Sequence, residues 1–387
     1  MKSVTIVGAS LAGLCSARAL RAAGFDGSVT VVGAENHRPY DRPPLSKEYL
    51  AGDVDASTLA LEPEDENLDA TWILGRTATA LDGSRRTVTL DNGAELTSDG
   101  VILATGSRAR SLRGTDHLSG VHVLRTIDDA DRLRAELAPG ARLVVIGAGF
   151  IGAEVASTAR KLGLDVTVVE AAPSPLTGPL GARLGSAVGN LHRDNGTTLI
   201  CGIAVDGLSG TDGVTGVRLA DGRLLEADVV VVGIGGIPNI DWLRTSGLAL
   251  GNGILCDGGG ATALPGVVAV GDCAAWLDPS GTHRRVEHWA GAAERPTVAV
   301  ATLLAGSYGG QHVKPPYFWS DQYGSRIQFA GTAGPDSECT IEEGSPELGS
   351  FLAVYRSDGL PVGVLGVNQV RLFTRWRRQL SAPARAV

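Results

Sequence analysis

Two glycine-rich turns carry the clearest chemical signal in this 387-residue sequence, one at Gly8–Gly13 and one at Gly147–Gly152. Each turn follows a short β-branched run and precedes apolar residues at helical spacing, so each predicts a strand–turn–helix unit. Such a turn binds pyrophosphate because small residues let the backbone approach the phosphates and the helix N-terminus presents N–H groups to them. Ser10 replaces the middle glycine of the first turn; its Cβ crowds this approach, although its hydroxyl can donate to a phosphate.

An acidic residue follows each turn at the spacing typical of dinucleotide-binding units. Glu35 comes 27 residues after Gly8, and Glu170 comes 23 residues after Gly147, near the ~20 that this fold uses. A carboxylate there accepts hydrogen bonds from the ribose 2′-hydroxyl and repels a 2′-phosphate. Residues 171–175 offer no arginine for a phosphate. The second unit is therefore predicted to prefer NADH over NADPH.

Two such units in one chain predict a flavoprotein, with FAD in the first unit and NAD in the second. Further β-branched runs that end in glycine predict central strands of parallel sheets. Beyond about residue 309 aromatic residues cluster and short alternating runs predict antiparallel strands. The expected organisation is an FAD-binding domain from 1–108 and 230–308, an NAD-binding domain from 109–229, and a smaller C-terminal interface domain from 309–387.

Composition excludes several classes of protein. The net charge of −8 disfavours nucleic acid and anionic membranes as partners, and no apolar run reaches the ~18 residues that a membrane helix needs. The five cysteines are scattered, without C-x-x-C or zinc spacing, so no metal site is expected. An odd cysteine count, with a strand predicted from Val4 in place of a secretory signal, predicts a cytoplasmic protein.

Further motifs lie outside the glycine turns, and they span nearly the whole chain. They are YDRPPLSK at 40–47, ATG at 104–106, LRT at 124–126, GIGGIPN at 233–239, GDCA at 271–274, VEHW at 286–289 and FWSDQ at 318–322. Together they resemble the FAD-dependent NADH:ferredoxin reductases of oxygenase systems, the putidaredoxin reductase-like and biphenyl dioxygenase ferredoxin reductase-like proteins. The resemblance implies an α/β fold with two Rossmann-like domains, arranged as in glutathione reductase, plus a smaller α+β C-terminal domain.

This resemblance also implies an activity. Hydride would pass from NADH to FAD, and single electrons would then pass to a 2Fe–2S ferredoxin that feeds a monooxygenase or a Rieske-type oxygenase. A rubredoxin partner stays open, as does an NADH-binding flavoprotein with a redox-signalling role. A disulfide or peroxide reductase is a further alternative, but it needs a reactive cysteine near the flavin.

The resemblance implies a catalytic pair. Lys47 would lie beside the flavin N5, where its charge favours negative charge on reduced flavin. Glu154 would pair with Lys47 and hold the nicotinamide amide. The alternative is that the two residues are unrelated, a loop lysine and a helix glutamate.

Other matching positions are expected to contact FAD. Asp272 would bind the ribitol hydroxyls, and it is also a candidate N-cap for a helix beginning near Cys273. Arg125 and the backbone near Ala78 would contact the pyrophosphate and adenine, with Arg42 close by.

Two tryptophans are implied to flank the flavin, although each is also a plausible core residue. Trp289 would lie along the isoalloxazine, and Trp319 would lie on its C-terminal side. The expected cofactor-binding residues are Gly8, Ser10, Ala12, Gly13, Glu35, Arg42, Lys47, Ala78, Ala104, Thr105, Gly106, Arg125, Asp272, Trp289, Trp319, Gly147, Gly149, Ile151, Gly152, Glu154, Glu170 and Gly235.

An acidic reductase needs a local basic patch to dock a ferredoxin, since ferredoxins of this kind are usually acidic. Arg371, Arg375 and Arg378 share one face of a predicted C-terminal helix. A solvated helix end is the simpler interpretation of these arginines. Arg295, which stands where the family usually has glutamine, is a weaker candidate for the same surface.

Overall fold

Eight α-helices are present in the computed structural model, which describes residues 1–115, 117–310, 313–334 and 337–380. The helices are α1 (Leu11–Ala22), α2 (Glu48–Ala51), α3 (Ile127–Glu136), α4 (Phe150–Lys161), α5 (Thr177–Leu180), α6 (Ala182–Asp194), α7 (Trp289–Ala305) and α8 (Val370–Leu380). Short 3-10 turns cover Pro43–Ser46, Ala56–Leu59, Asp241–Leu243, Gly271–Cys273 and Pro346–Leu348. None of the helices in this part of the chain is both long enough and apolar enough to span a membrane.

The strands of the same residues are numbered along the chain. They are β1 (Ser3–Val7), β2 (Ser28–Val32), β3 (Ala70–Ile73), β4 (Ala78–Asp82), β5 (Thr87–Leu90), β6 (Glu95–Thr97), β7 (Gly100–Leu103), β8 (Ser107–Ala109), β9 (Val121–His122), β10 (Arg142–Ile146), β11 (Asp165–Glu170), β12 (Thr198–Cys201), β13 (Val205–Gly210), β14 (Val214–Leu219), β15 (Leu224–Glu226), β16 (Val229–Val232), β17 (Gly236–Pro238), β18 (Leu250–Gly251), β19 (Gly253–Cys256), β20 (Val267–Ala269), β21 (Ala274–Leu277), β22 (His283–Arg285), β23 (Tyr317–Gln322), β24 (Ser325–Gly331), β25 (Glu338–Ser345), β26 (Ser350–Ser357) and β27 (Leu360–Val367).

The chain divides into two compact units, and unit 1 consists of Met1–Asp41, Leu59–Arg108 and Ile237–Pro316. Its central sheet has the order β20-β7-β1-β2-β3, and all four pairings are parallel. Side chains of β1 such as Val4 and Ile6 are buried, as expected for a parallel sheet covered on both faces. The first predicted strand–turn–helix unit is therefore confirmed.

Unit 2 repeats this architecture with the second glycine turn. It consists of Arg42–Thr58, Ala109–Gly236 and the chain from Tyr317 onward. Its parallel sheet has the order β12-β11-β10-β16-β9, and the glycine turn joins β10 to α4. This confirms the second predicted unit, because α4 returns the chain to β11, which lies beside β10 in register.

The C-terminal part of unit 2 is an antiparallel sheet, as predicted, with the order β23-β24-β27-β26-β25. Leu176, Leu180, Leu184 and Val188, from α5, α6 and the residue before α5, join the apolar cluster on one side of this sheet. A second cluster contains Phe373 of α8, which is 1% exposed. The sheet thus packs against both the nucleotide-binding half of unit 2 and the arginine-rich helix.

Residues 42–58 belong to unit 2, whereas the expected ranges group them with the FAD-binding segments. The Tyr49 hydroxyl donates to Asp131 Oδ1 at 2.6 Å, and Lys161 Nζ lies 2.7 Å from Asp53 Oδ2. These contacts tie the segment to α3 and α4. Local sequence patterns do not predict these contacts, because the partners are about 80 to 110 residues apart along the chain.

His192 of α6 is a buried polar group of unit 2, only 1% exposed. Its Nδ1 lies 2.9 Å from the Tyr323 hydroxyl, which also lies 2.9 Å from Thr197 Oγ1. Desolvation is the main cause that lowers the pKa of His192 to about 4. The fold therefore favours the neutral ring.

We expect His192→Gln to reduce the sensitivity of the protein to acid. The pKa of an unfolded histidine is about 6.5, so the contribution of neutral His192 to stability is complete above pH 6.5 and is lost as the pH falls towards 4. Between pH 7 and 4.5 the wild type should lose about 2–3 kcal/mol of unfolding free energy more than the variant. Urea denaturation at both pH values measures this, with exposed His283→Gln as control. Equal losses in wild type and His192→Gln would contradict the prediction.

Candidate functional site

Steric contacts explain why both outer positions of the first turn are glycine. Gly8 has a φ of +124°, and a Cβ there would lie 2.0 Å from the Ala104 carbonyl oxygen. A Cβ on Gly13 would lie 1.9 Å from the Gly8 carbonyl oxygen. Ser10 is the N-cap residue of α1, and Ala12 lies in its first turn, which carries no acidic side chain. The helix N-terminus is thus compatible with a bound anion.

In the second turn, the middle glycine differs from the outer two. A Cβ on Gly147 would lie 2.4 Å from the Gly233 carbonyl oxygen, and one on Gly152 would lie 2.2 Å from the Gly147 carbonyl oxygen. At Gly149, the N-cap of α4, the nearest atom would be 3.9 Å away. Ile151, two residues after Gly149, is 44% exposed. The outer glycines serve packing, and the middle one leaves room for the pyrophosphate of a dinucleotide.

The second of the two predicted acidic residues lies beside its turn. Glu170 ends β11, and its two carboxylate oxygens accept from the backbone N–H groups of Ala148 and Ala172, each at 2.8 Å. Each oxygen keeps further lone pairs, which a ribose hydroxyl can use. Glu35 accepts from the Tyr40 hydroxyl. The carboxyl edge of each sheet thus carries a fixed negative charge at the position expected to bind ribose.

The loop of unit 1 that carries the predicted cofactor contacts Thr105 and Gly106 is joined to Asn239, the last residue of another quoted motif. Thr105 Oγ1 donates to the Asn239 carbonyl oxygen at 2.8 Å, and Asn239 Nδ2 donates to the Thr105 carbonyl oxygen at 3.0 Å. Asn239 N also donates to the Gly106 oxygen at 3.0 Å. Ala104 precedes this loop and is buried. Buried Ala78 opens β4, in a separate antiparallel sheet of unit 1.

Asp272 lies in a 3-10 turn that leads directly into strand β21. The alternative expectation of an N-cap for a helix beginning near Cys273 is therefore wrong, since the chain becomes extended at Ala274. Asp272 is 8% exposed, and its Oδ2 lies 3.3 Å from Ser107 Oγ.

Trp289 is partly exposed at the first residue of α7, where its indole Nε1 donates to Asp41 Oδ1 at 2.7 Å. In unit 2, Trp319 of β23 stacks on Tyr317 with centroids 5.9 Å apart, and the Arg326 guanidinium lies 5.6 Å from its ring. Neither tryptophan is fully buried.

Arg42 and Arg125 come together in unit 2. Arg42 Nη1 donates to the Arg125 carbonyl oxygen at 2.7 Å, and Arg125 N donates to Asp129 Oδ2 at 3.0 Å. Gly235, in the same unit, has a φ of +97° and no atom within 4 Å of the position of a Cβ. Its glycine identity is explained by this backbone conformation.

Lys47 and Glu154 form a largely buried ion pair in unit 2, with Lys47 Nζ 2.9 Å from Glu154 Oε2. Glu154 is 4% exposed and lies in the second turn of α4, close to the glycine motif. Two hydroxyl groups also donate to its carboxylate, from Ser46 and from Ser320. Sequence reasoning missed both serines, although each stands inside a quoted motif, next to Lys47 and to Trp319.

The arginines expected to dock a partner differ in exposure. Arg371, Arg375 and Arg378 are exposed on α8. Arg295 is half-buried, with its guanidinium 4.9 Å from the centroid of the buried Trp276 ring. Desolvation lowers the pKa of Arg295 to about 10. Because Arg295 packs on the interior of unit 1, it is not part of a freely accessible basic surface.

The cysteines argue against thiol chemistry. All five are free thiols, and burial raises the pKa of Cys256 and of Cys273. A buried thiol with a raised pKa carries little of the thiolate that attacks disulfides and peroxides.

Residues 2–295 match the family described as pyridine nucleotide-disulphide oxidoreductase. The chain belongs to this family. Residues 317–386 match a second family, described as reductase C-terminal, and this region contains the antiparallel sheet and α8.

Relatives match over almost the full length of this oxidoreductase. The ferredoxin reductase component of a chlorobenzene dioxygenase from Cupriavidus sp. (strain PS12) is 38% identical over 98% of this chain and 93% of that protein. Rhodocoxin reductase of Rhodococcus erythropolis is 39% identical over 95% of this chain and 87% of that protein. The crystal structure of the covalent putidaredoxin reductase–putidaredoxin complex gives a TM-score of 0.93 at 33% identity, covering 98% of this chain and 93% of that chain.

Two glycine variants should separate packing from ligand binding in this oxidoreductase. Gly152→Ala forces a Cβ against a carbonyl oxygen and should lower the unfolding free energy by about 3 kcal/mol. Gly149→Ala has space and a φ of −75°, so it should change stability by less than about 1 kcal/mol but weaken NAD⁺ binding about tenfold. Urea denaturation and NAD⁺ titration measure the two effects. Unchanged NAD⁺ affinity in Gly149→Ala would show that this turn does not contact the pyrophosphate.

Proposed function

We propose that this chain is an FAD-dependent NADH:ferredoxin reductase, which supplies a 2Fe–2S ferredoxin that feeds a monooxygenase or a Rieske-type oxygenase. The observation that carries the proposal is the buried Lys47–Glu154 pair near the second glycine turn. This pair provides a fixed cation for a flavin. Burial raises the pKa of the Cys256 and Cys273 thiols, so these thiols carry little of the reactive thiolate. The full-length relatives named as ferredoxin reductase components support the same conclusion.

Each glycine turn is assigned a different cofactor. The turn of unit 1 and Glu35 bind FAD, and the turn of unit 2 and Glu170 bind NADH. When bound, FAD accepts a hydride from NADH and releases the electrons one at a time, so it matches a two-electron donor to a one-electron acceptor.

Lys47 would supply a positive charge to the bound flavin, and Glu154 would orient it. A lysine stem is flexible, so the 2.9 Å contact with Glu154 restricts where the ammonium group can lie. A fixed cation stabilises negative charge that develops near it during reduction, without the cost of reorganising solvent. Asp272, Arg42 and Arg125 are proposed to bind the polar parts of FAD.

We place this reaction in the cytoplasm. All five cysteines are free thiols, which suits a reducing compartment.

The exposed arginines of α8 are the proposed docking surface for the ferredoxin. Arg371, Arg375 and Arg378 face solvent, while Phe373 anchors the helix to the C-terminal sheet. An otherwise acidic chain thus presents a local basic patch, which attracts an acidic partner through long-range electrostatics.

Anaerobic stopped-flow mixing tests the proposed reaction. NADH should bleach the flavin at least tenfold faster than NADPH at equal concentration, because Glu170 repels a 2′-phosphate. The reduced protein should then reduce an oxidised 2Fe–2S ferredoxin rapidly. Glu170→Gln should narrow the preference for NADH by about tenfold. Rapid bleaching without electron release to any iron–sulfur protein would favour the redox-signalling alternative, and transfer to rubredoxin alone would favour a rubredoxin reductase.

Reversing the charge of α8 should slow the reaction with ferredoxin. The variant Arg371→Glu/Arg375→Glu/Arg378→Glu should reduce an acidic ferredoxin at least tenfold more slowly at low ionic strength. The difference should shrink at about 0.5 M salt because the charges are screened. Arg85→Glu, exposed on the β4–β5 turn, is the control. An equal effect of Arg85→Glu, or none of the triple change, would exclude α8 as the docking surface.

A further inference from the structure

The Glu154 carboxylate receives donors from three separate parts of the chain. Its Oε2 accepts from Lys47 Nζ at 2.9 Å and from the Ser46 hydroxyl. Its Oε1 accepts from Ser320 Oγ at 2.7 Å. Ser320 is fully buried and belongs to β23 of the C-terminal sheet. The strand therefore donates to the oxygen that the lysine leaves open.

The direction of these hydrogen bonds is fixed by chemistry. An ionised carboxylate can only accept, so the hydroxyl of Ser320 must donate to Glu154. The oxygen of Ser320 is then left to accept, and Gln322 Nε2 donates to it at 3.0 Å. Gln322 is 1% exposed. The hydrogen bonds thus run in one direction, from Gln322 to Ser320 and from Ser320 to Glu154.

A second contact holds β23 against the same helix. Tyr323 follows β23 in a tight turn with a φ of +51°, and its backbone N–H donates to Ser157 Oγ at 2.7 Å. Ser157 lies three residues after Glu154 on α4, so the two positions are neighbours on one helix face. The strand is therefore fixed along α4 at two successive points, and Ser320 is held in register with the carboxylate.

We propose that Ser320 and Gln322 are positioning residues for hydride transfer, which complete the Lys47–Glu154 site from the C-terminal sheet. This inference rests on the proposed function of that pair. With Ser320 donating to Oε1, the carboxylate presents Oε2 to Lys47 and fixes the ammonium group. Without that donor the carboxylate is held only through Oε2, so its orientation and the position of the ammonium group are less well fixed.

Four variants of the FAD-loaded protein test this role. Ser320→Ala removes the donor, Ser320→Thr keeps a hydroxyl, and Gln322→Met removes the second link at similar volume. The matched control is Ser325→Ala on the neighbouring strand, where Ser325 Oγ accepts from Asn368 at 3.2 Å and lies apart from the carboxylate. The readouts are the limiting rate of flavin reduction, the NADH concentration for half-maximal rate, and the flavin midpoint potential.

Ser320→Ala should lower the limiting rate about tenfold, with less than a twofold change in the half-saturating NADH concentration. The midpoint potential should move to more negative values, because the cation near the flavin is less well fixed. Ser320→Thr should keep the limiting rate within about twofold of the wild-type rate. Its midpoint potential should stay close to that of the wild type. Gln322→Met should slow reduction about threefold, and Ser325→Ala should match wild type.

Three results would overturn the inference. They are a wild-type rate and potential in Ser320→Ala, equal slowing in Ser320→Ala and Ser320→Thr (which indicates packing alone), and equal slowing in Ser325→Ala. If Ser320→Ala does not fold, a wild-type rate in Gln322→Met overturns the inference. Failure of the proposed function is seen separately in the wild type, either as no reduction of the flavin by NADH or as no electron transfer from the reduced protein to a ferredoxin.

Discussion

A carboxylate removed from water must be compensated by donors, and this constraint at Glu154 organises unit 2. Burying an unpaired charge costs several kcal/mol, so a group that is 4% exposed needs partners from the protein itself. Lys47, Ser46 and Ser320 supply them. The loop at 42–58, helix α4 and the C-terminal sheet must all be in place before this charge is satisfied. The Lys47–Glu154 pair is therefore a product of the assembled unit rather than of any one segment.

Close packing imposes a second constraint, at the glycine turns. In both turns the outer glycines bring a helix against a strand so closely that a Cβ would meet a carbonyl oxygen at 2.4 Å or less. The middle positions, Ser10 and Gly149, are N-cap residues of the following helices. Packing depends on the outer residues of this short motif, and cofactor binding is proposed for the middle ones, so variants at Gly149 and Gly152 are expected to differ.

The C-terminal sheet links these features to electron transfer. One of its apolar clusters includes residues of α5 and α6, and another includes Phe373 of α8. Its first strand carries Ser320, which contacts Glu154, and Trp319, which is proposed to lie near the flavin. The same sheet therefore supports the proposed hydride-transfer site and the proposed docking helix, so changes to its core should affect both.

The sequence by itself determined the local elements and the family. Glycine spacing and β-branched runs are local signals, and they predicted both strand–turn–helix units and the antiparallel C-terminal sheet. Motifs predicted that Lys47 and Glu154 would pair. Tertiary structure alone decided which other groups reach that pair, that Arg295 packs on Trp276, and that residues 42–58 join unit 2. Strand β21 is found where a helix was expected after Asp272, because the pairing of β21 with β19 outweighs local capping. Several of these contacts join residues far apart in the chain, such as Ser320 and Glu154, which are 166 positions apart. Their choice depends on burial and hydrogen-bond satisfaction that no local pattern encodes.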